Sequence, residues 1–140
     1  MCLLLLVQFV LGMVVNLFVT IPAKHPGAQP ADYFAGAAAS IGWAIPHGGG
    51  WLAAHVALGL ALIVAGIAAL ALAIRSRRSG PISTAAIGFA AVLGAAFNGA
   101  SFLNYDHDIS SLIMAVCFAL ALGCYIIGLH RSLRTGVPGD

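Results

Sequence analysis

With 61% of its 140 residues hydrophobic and 7% charged, this chain cannot cover a water-facing surface; a soluble domain of ordinary composition uses about 25% charged residues for that purpose. A mean hydropathy of +1.04 points instead to an integral membrane protein whose first partner is the lipid bilayer. A net charge of +2, from six basic and four acidic residues, leaves no footprint for nucleic acid.

Four apolar runs are long enough to cross a hydrocarbon core, which takes about 20 helical residues. They cover roughly 2–20, 51–74, 82–103 and 109–129. Each ends in polar or helix-breaking punctuation: Ile21-Pro22, then Arg75 to Pro81, then Asn104 to Asp108, then His130-Arg131. Backbone polar groups in lipid must be satisfied within the segment, so the runs predict helices. The expected fold is all-α: one transmembrane domain, a four-helix bundle. The first run lacks the basic n-region and A-x-A site of a signal peptide, so it reads as a span. The abrupt start Met1-Cys2 suggests that the natural N-terminus lies further upstream.

Basic residues set the expected orientation. Arg75, Arg77, Arg78, Arg131 and Arg134 fall on one side of the spans and Lys24 on the other. The positive-inside rule then puts both termini in the cytoplasm of a multi-pass protein in the plasma (inner) membrane. Cys2, Cys117 and Cys124 show no CxxC spacing and none lies in the long polar loop, so they read as small buried hydrophobes.

The loop between the first two runs, Ile21 to Gly50, is long for a bundle, and such loops carry structure of their own. Its stretch 31–45 holds Tyr33, Phe34 and Trp43, residues suited to a membrane–water interface. It predicts a short interfacial helix, stopped by Pro46, with Gly48–Gly50 as a hinge. The third run is crowded with Gly and Ala, which lets helices approach closely.

His55 is the most demanding residue. An ionisable side chain at membrane depth is costly without a partner, and such residues mark sites. Counted inward from the outer ends of the runs, Asn16, His55 and Asn98 share a depth of roughly 6–8 Å. Met114 and the serines Ser110 and Ser111 match them on the fourth run, with His107 above, between Asp106 and Asp108. Gln8 is the one strongly polar residue deep in the first run. Each has a plainer reading. Asn16 and Asn98 can bond across helices, His107 can belong to a solvated turn with Asp108 as helix cap, and His47 can be a loop residue. His25 and His130 read as solvent-side.

Three functions fit this layer. In one, His55 is an axial ligand of haem b near the outer face, serving electron transfer, haem handling or redox sensing. The second ligand is then His107, Met114 or His47, with Lys24 available to the propionates. In another, His47, His55, Asp106, His107 and Asp108 bind Zn or Cu, through His55 and His107 first. In the last, the protein is a packing or accessory subunit, in a homo-oligomer or a larger membrane complex.

The stretch Gln8-Phe-Val-Leu-Gly12, and His55-Val-Ala-Leu-Gly-Leu-Ala-Leu leading down to Arg75, resemble one four-helix half of the heme A synthase family. That resemblance spans most of the chain. It implies a bundle that binds haem through histidines near the outer ends of the second and fourth helices, here His55 and His107. The family's activity depends on a glutamate in the first span, and this chain contains none. The extracytoplasmic cysteine pair of many members is also missing. The resemblance therefore implies the bundle and the haem, while haem hydroxylation is disfavoured.

Overall fold

The computed structural model describes residues 1–135, with no account of the side chains of Arg134 and Thr135. The expected cytoplasmic C-terminus and the side chain of Arg134 therefore lie outside the described residues. Five α-helices occur there and no strand: α1 Cys2–Phe18, α2 Tyr33–His47, α3 Gly49–Arg75, α4 Ser79–Tyr105 and α5 Asp108–Thr135. Three of them, α3, α4 and α5, are long and apolar enough to cross a membrane. At ~1.5 Å per residue the 27 residues of α3 and of α4 extend ~40 Å, past the ~30 Å of a hydrocarbon core. The apolar α1 has 17 residues, which is ~26 Å.

Helix ends follow the local chemistry. The Asp32 carboxylate accepts the backbone N–H of Ala35 at 2.7 Å, capping α2 one residue ahead of its first turn. Pro81 sits in the first turn of α4, where a missing N–H removes no helical bond. Asp106 closes α4 in the left-handed region at φ 54°, a conformation that Asp tolerates better than most residues. Asp108, expected as a cap, is the first residue of α5, with its charge at the positive end of the helix dipole.

Pro46 does not stop α2; it lies in the last turn, and the helix runs on to His47. The carbonyl deprived of its donor is that of Gly42, an exposed position, so the loss is tolerated. The expected three-glycine hinge shrinks to Gly48, since Gly49 and Gly50 already belong to α3. A Cβ at Gly48 would stand 2.6 Å from both the Ala44 carbonyl oxygen and Leu52 Cδ2, so only glycine fits this corner.

The four helices other than α2 form a closed ring in which α1 packs on α3 and α5, and α4 packs on the same two. The diagonal pairs, α1 with α4 and α3 with α5, bring no two Cα atoms within 8 Å. Helix α2 lies across one end, against α3 and α4. Glycines mediate the close approach of α4 and α5: Gly94 faces Cys117 Sγ, Gly99 faces Met114 Sδ and Gly88 faces the Tyr125 ring. The basic end is at the other pole, where Gly80 at the start of α4 lies beside the Arg131 guanidinium of α5.

Two apolar plugs cross the ring. Leu5, Leu62, Ala91, Val92 and Ala121 fill it toward the basic end. Val15, Ala44, Leu52 and Leu103 fill it under α2, joined by Ile21 and Trp43. Elsewhere the large side chains turn outward; Leu3, Val10 and Leu17 on α1 and Val64, Leu72 and Val116 on α3 and α5 are all more than half exposed.

Candidate functional site

Between the plugs the ring encloses a cavity of about 310 Å³, lined almost entirely by apolar side chains and crossed by no diagonal contact. That volume is at the lower end of the ~300–1,000 Å³ typical of small-molecule sites. Its polar lining comes from Gln8 and Asn16 of α1, His55 of α3 and Ser111 of α5.

His55 is half-buried, and its ring lies on Gly12, where a Cβ would stand 2.9 Å from Cε1. Glycine at that position lets the imidazole pack edge-on against the α1 backbone. One turn below, the Gln8 amide donates to the His55 carbonyl oxygen at 3.1 Å and stands 3.5 Å from Nε2. The first contact is a sound hydrogen bond, and the second is too long to satisfy the ring. His55 Nδ1 and Gln8 Oε1 are buried and find no partner among the described residues. Buried polar atoms left open in this way cost roughly 1–3 kcal/mol each, which marks the pair as a place for a further group.

The structure brings some of the expected site residues together and separates others. Met114 lines the cavity from α5, diagonally opposite His55. Asn16 also lines it, and its side-chain oxygen accepts the Ser111 hydroxyl at 3.0 Å. Asn98 does not: its amide turns back to the Gly94 carbonyl at 2.9 Å on its own helix. His47 and Lys24 are exposed at the α2 end, away from the cavity lining. His107 is exposed in the α4–α5 turn, stacked on Tyr105 with ring centroids 5.7 Å apart. Among the described residues no three of His, Cys, Asp and Glu come together as a metal-holding group. The mixed set of His47, His55, Asp106, His107 and Asp108 is therefore not assembled.

The expected common depth of Asn16, His55 and Asn98 is replaced by a different level. His55 meets Gly12 and Gln8, one and two turns nearer the N-terminus of α1 than Asn16. Counting from the ends of apolar runs assumes that all helices stop at one height. Here α1 ends at Phe18 beneath the α2 cap, while α3 begins at Gly49, directly after α2.

A second polar cluster escaped the sequence reading. Asn104 and Ser40 are 1% and 0% exposed, and the Ser40 hydroxyl donates to Asn104 Oδ1 at 2.8 Å. Asn104 Nδ2 donates to the Tyr33 carbonyl at 3.3 Å, and its own carbonyl accepts from the Gln29 N–H at 2.8 Å. The Tyr33 hydroxyl donates to the Phe97 carbonyl at 2.6 Å. His25, expected at the solvent side, reaches the Leu103 carbonyl through Nε2 at 3.1 Å and stacks on Trp43 at 4.5 Å. These bonds fasten the segment 21–47 over the mouth of the ring. In the sequence Asn104 looks like loop punctuation; a buried partner 64 positions away in Ser40 leaves no local signal.

Comparison with protein-family models, with curated proteins and with solved structures finds no match to this chain.

Proposed function

We propose that this is a four-span membrane protein that holds haem b in the bundle cavity, with His55 as axial ligand and Met114 as the second. The observation that carries the reading is a buried imidazole nitrogen with no partner among the described residues, on the wall of an apolar cavity that a thioether of the diagonally opposite helix also lines. Helices α3 and α5 do not touch each other, and His55 and Met114 would be the side chains that hold the haem iron between them. Gln8 orients His55 through its backbone carbonyl, and Gly12 leaves the imidazole room. Bound haem supplies reversible one-electron chemistry, so electron transfer, haem handling or redox sensing is the role assigned. The resemblance of Gln8 to Gly12 and of the His55 helix to half of a heme A synthase supports the same reading; the lack of glutamate argues against hydroxylation.

The outward-facing Leu3, Val10 and Leu17 support α1 as the fourth span. The arginines Arg75, Arg77, Arg78 and Arg131 gather at the end opposite α2, which supports cytoplasmic termini in a plasma membrane and α2 as an external interfacial helix. The test is an absorption spectrum of detergent-purified protein, before and after addition of haemin. A Soret band with one haem per chain is expected. The absence of both a band and uptake would rule the haem reading out.

A further inference from the structure

We infer that the cavity is filled sideways from the bilayer, through a window between α1 and α5, so that its ligand is a lipid-dissolved and largely apolar molecule rather than a water-borne one. The inference rests on the cavity being a ligand site and adds the route and the class of molecule that can take it. Both ends of the ring and two of its seams carry closing contacts. Toward the basic end the ring is filled by Leu5, Leu62, Val92 and Ala121, all 7% exposed or less. Toward the α2 end Ile21 and Ile41 close the cavity, beneath a segment fastened by the buried Ser40–Asn104 bond. The α1–α3 seam is shut by the Gln8 amide on the His55 carbonyl and by the His55 ring on Gly12. Along α4–α5 the glycines Gly94 and Gly99 seat Cys117 and Met114.

The α1–α5 seam is different. It is bridged at one level by the Phe9–Phe118 ring stack, centroids 4.6 Å apart, and at another by the Ser111–Asn16 hydrogen bond of 3.0 Å. The bridging residues of α1 are seven positions apart, roughly 10 Å of helix. Between them Met13 on α1 and Ala115 on α5 line the cavity and are at the same time exposed on the outer surface. Two such residues on neighbouring helices, between the two bridges, mark an opening in that seam; Leu60 of α3 also lines the cavity and is exposed, but no cavity-lining residue of α4 is. The small Ala115 leaves the gap, and the flexible Met13 thioether can move aside.

Cys117 lines the same cavity and provides a reporter that needs no haem. In a Cys2→Ser, Cys124→Ser background reconstituted into liposomes, its alkylation by a lipid-partitioning N-alkyl maleimide is compared with that by a sulfonated, water-restricted maleimide. The alkyl reagent should react faster. Ala115→Trp should slow it by about tenfold, ~1.4 kcal/mol on the barrier to passage, and slow haemin uptake in parallel. Ala119→Trp, exposed on the same helix but outside the cavity lining, should change neither rate and controls for folding. Equal rates in Ala115→Trp and its parent, or faster reaction with the sulfonated reagent, would overturn the lateral route. If the parent takes up no haemin yet Ala115→Trp still slows alkylation, the haem reading fails and the window stands.

Discussion

Gly12 is where one methyl group decides whether His55 keeps its place. A Cβ would stand 2.9 Å from Cε1 of the imidazole, on a helix backbone that cannot give way, so the ring must move. Gly12→Ala should therefore weaken haemin binding by about tenfold or more, ~1.4 kcal/mol, with helix content by circular dichroism unchanged. Full-strength binding in that variant would show that the imidazole position is not used. Asn104 offers a contrast, because it does not line the cavity and instead fastens the segment above it. Asn104→Ala leaves the buried Ser40 hydroxyl only a long 3.5 Å contact with the Pro26 carbonyl and takes a donor from the part-buried Tyr33 carbonyl. A loss of roughly 1–3 kcal/mol per open group is expected, read as a lower unfolding temperature in detergent. An unchanged transition would mean that the cap contributes nothing to stability.

The α2 cap ties the local and the global levels together. Its N-terminus depends on Asp32 and its junction with α3 on Gly48. Asp32→Ala should cost about 1 kcal/mol of α2 stability, seen as faster proteolysis within residues 19–32 while α3, α4 and α5 stay protected. Cleavage at the parental rate would argue that tertiary contacts alone hold α2. Much of this element was legible from residues: the aromatic, Ala-rich stretch 31–45 predicts a short helix, which runs past Pro46 to His47, and the four apolar runs match α1, α3, α4 and α5 to within a few residues, except at the C-terminal end of α5. The partners across the bundle were not. Gln8 stood out as a lone polar residue in a span, yet its pairing with His55 depends on how far α1 slides along α3. The burial of Asn104 likewise follows only once α2 has folded back over the ring.

For the whole molecule, the charge pattern and the closed ring make one statement together. The arginines anchor one end, the cap covers the other, and a cavity with an unpartnered histidine nitrogen lies between two apolar plugs. If the arginine end is cytoplasmic, a single cysteine introduced by Arg77→Cys in a cysteine-free background should resist impermeant maleimide in right-side-out vesicles. One introduced by Lys24→Cys should react at once. The reverse pattern would invert the topology without disturbing the fold.

His55 is the hinge of the functional account, and the most direct measurement is a paired haemin titration, followed in the Soret region, of the parent and of His55→Ala at matched helix content. The parent should saturate at one haem per chain with a low-spin spectrum, and His55→Ala should lose that spectrum together with most of the affinity. Identical titrations for the two proteins, or none for either, would contradict it.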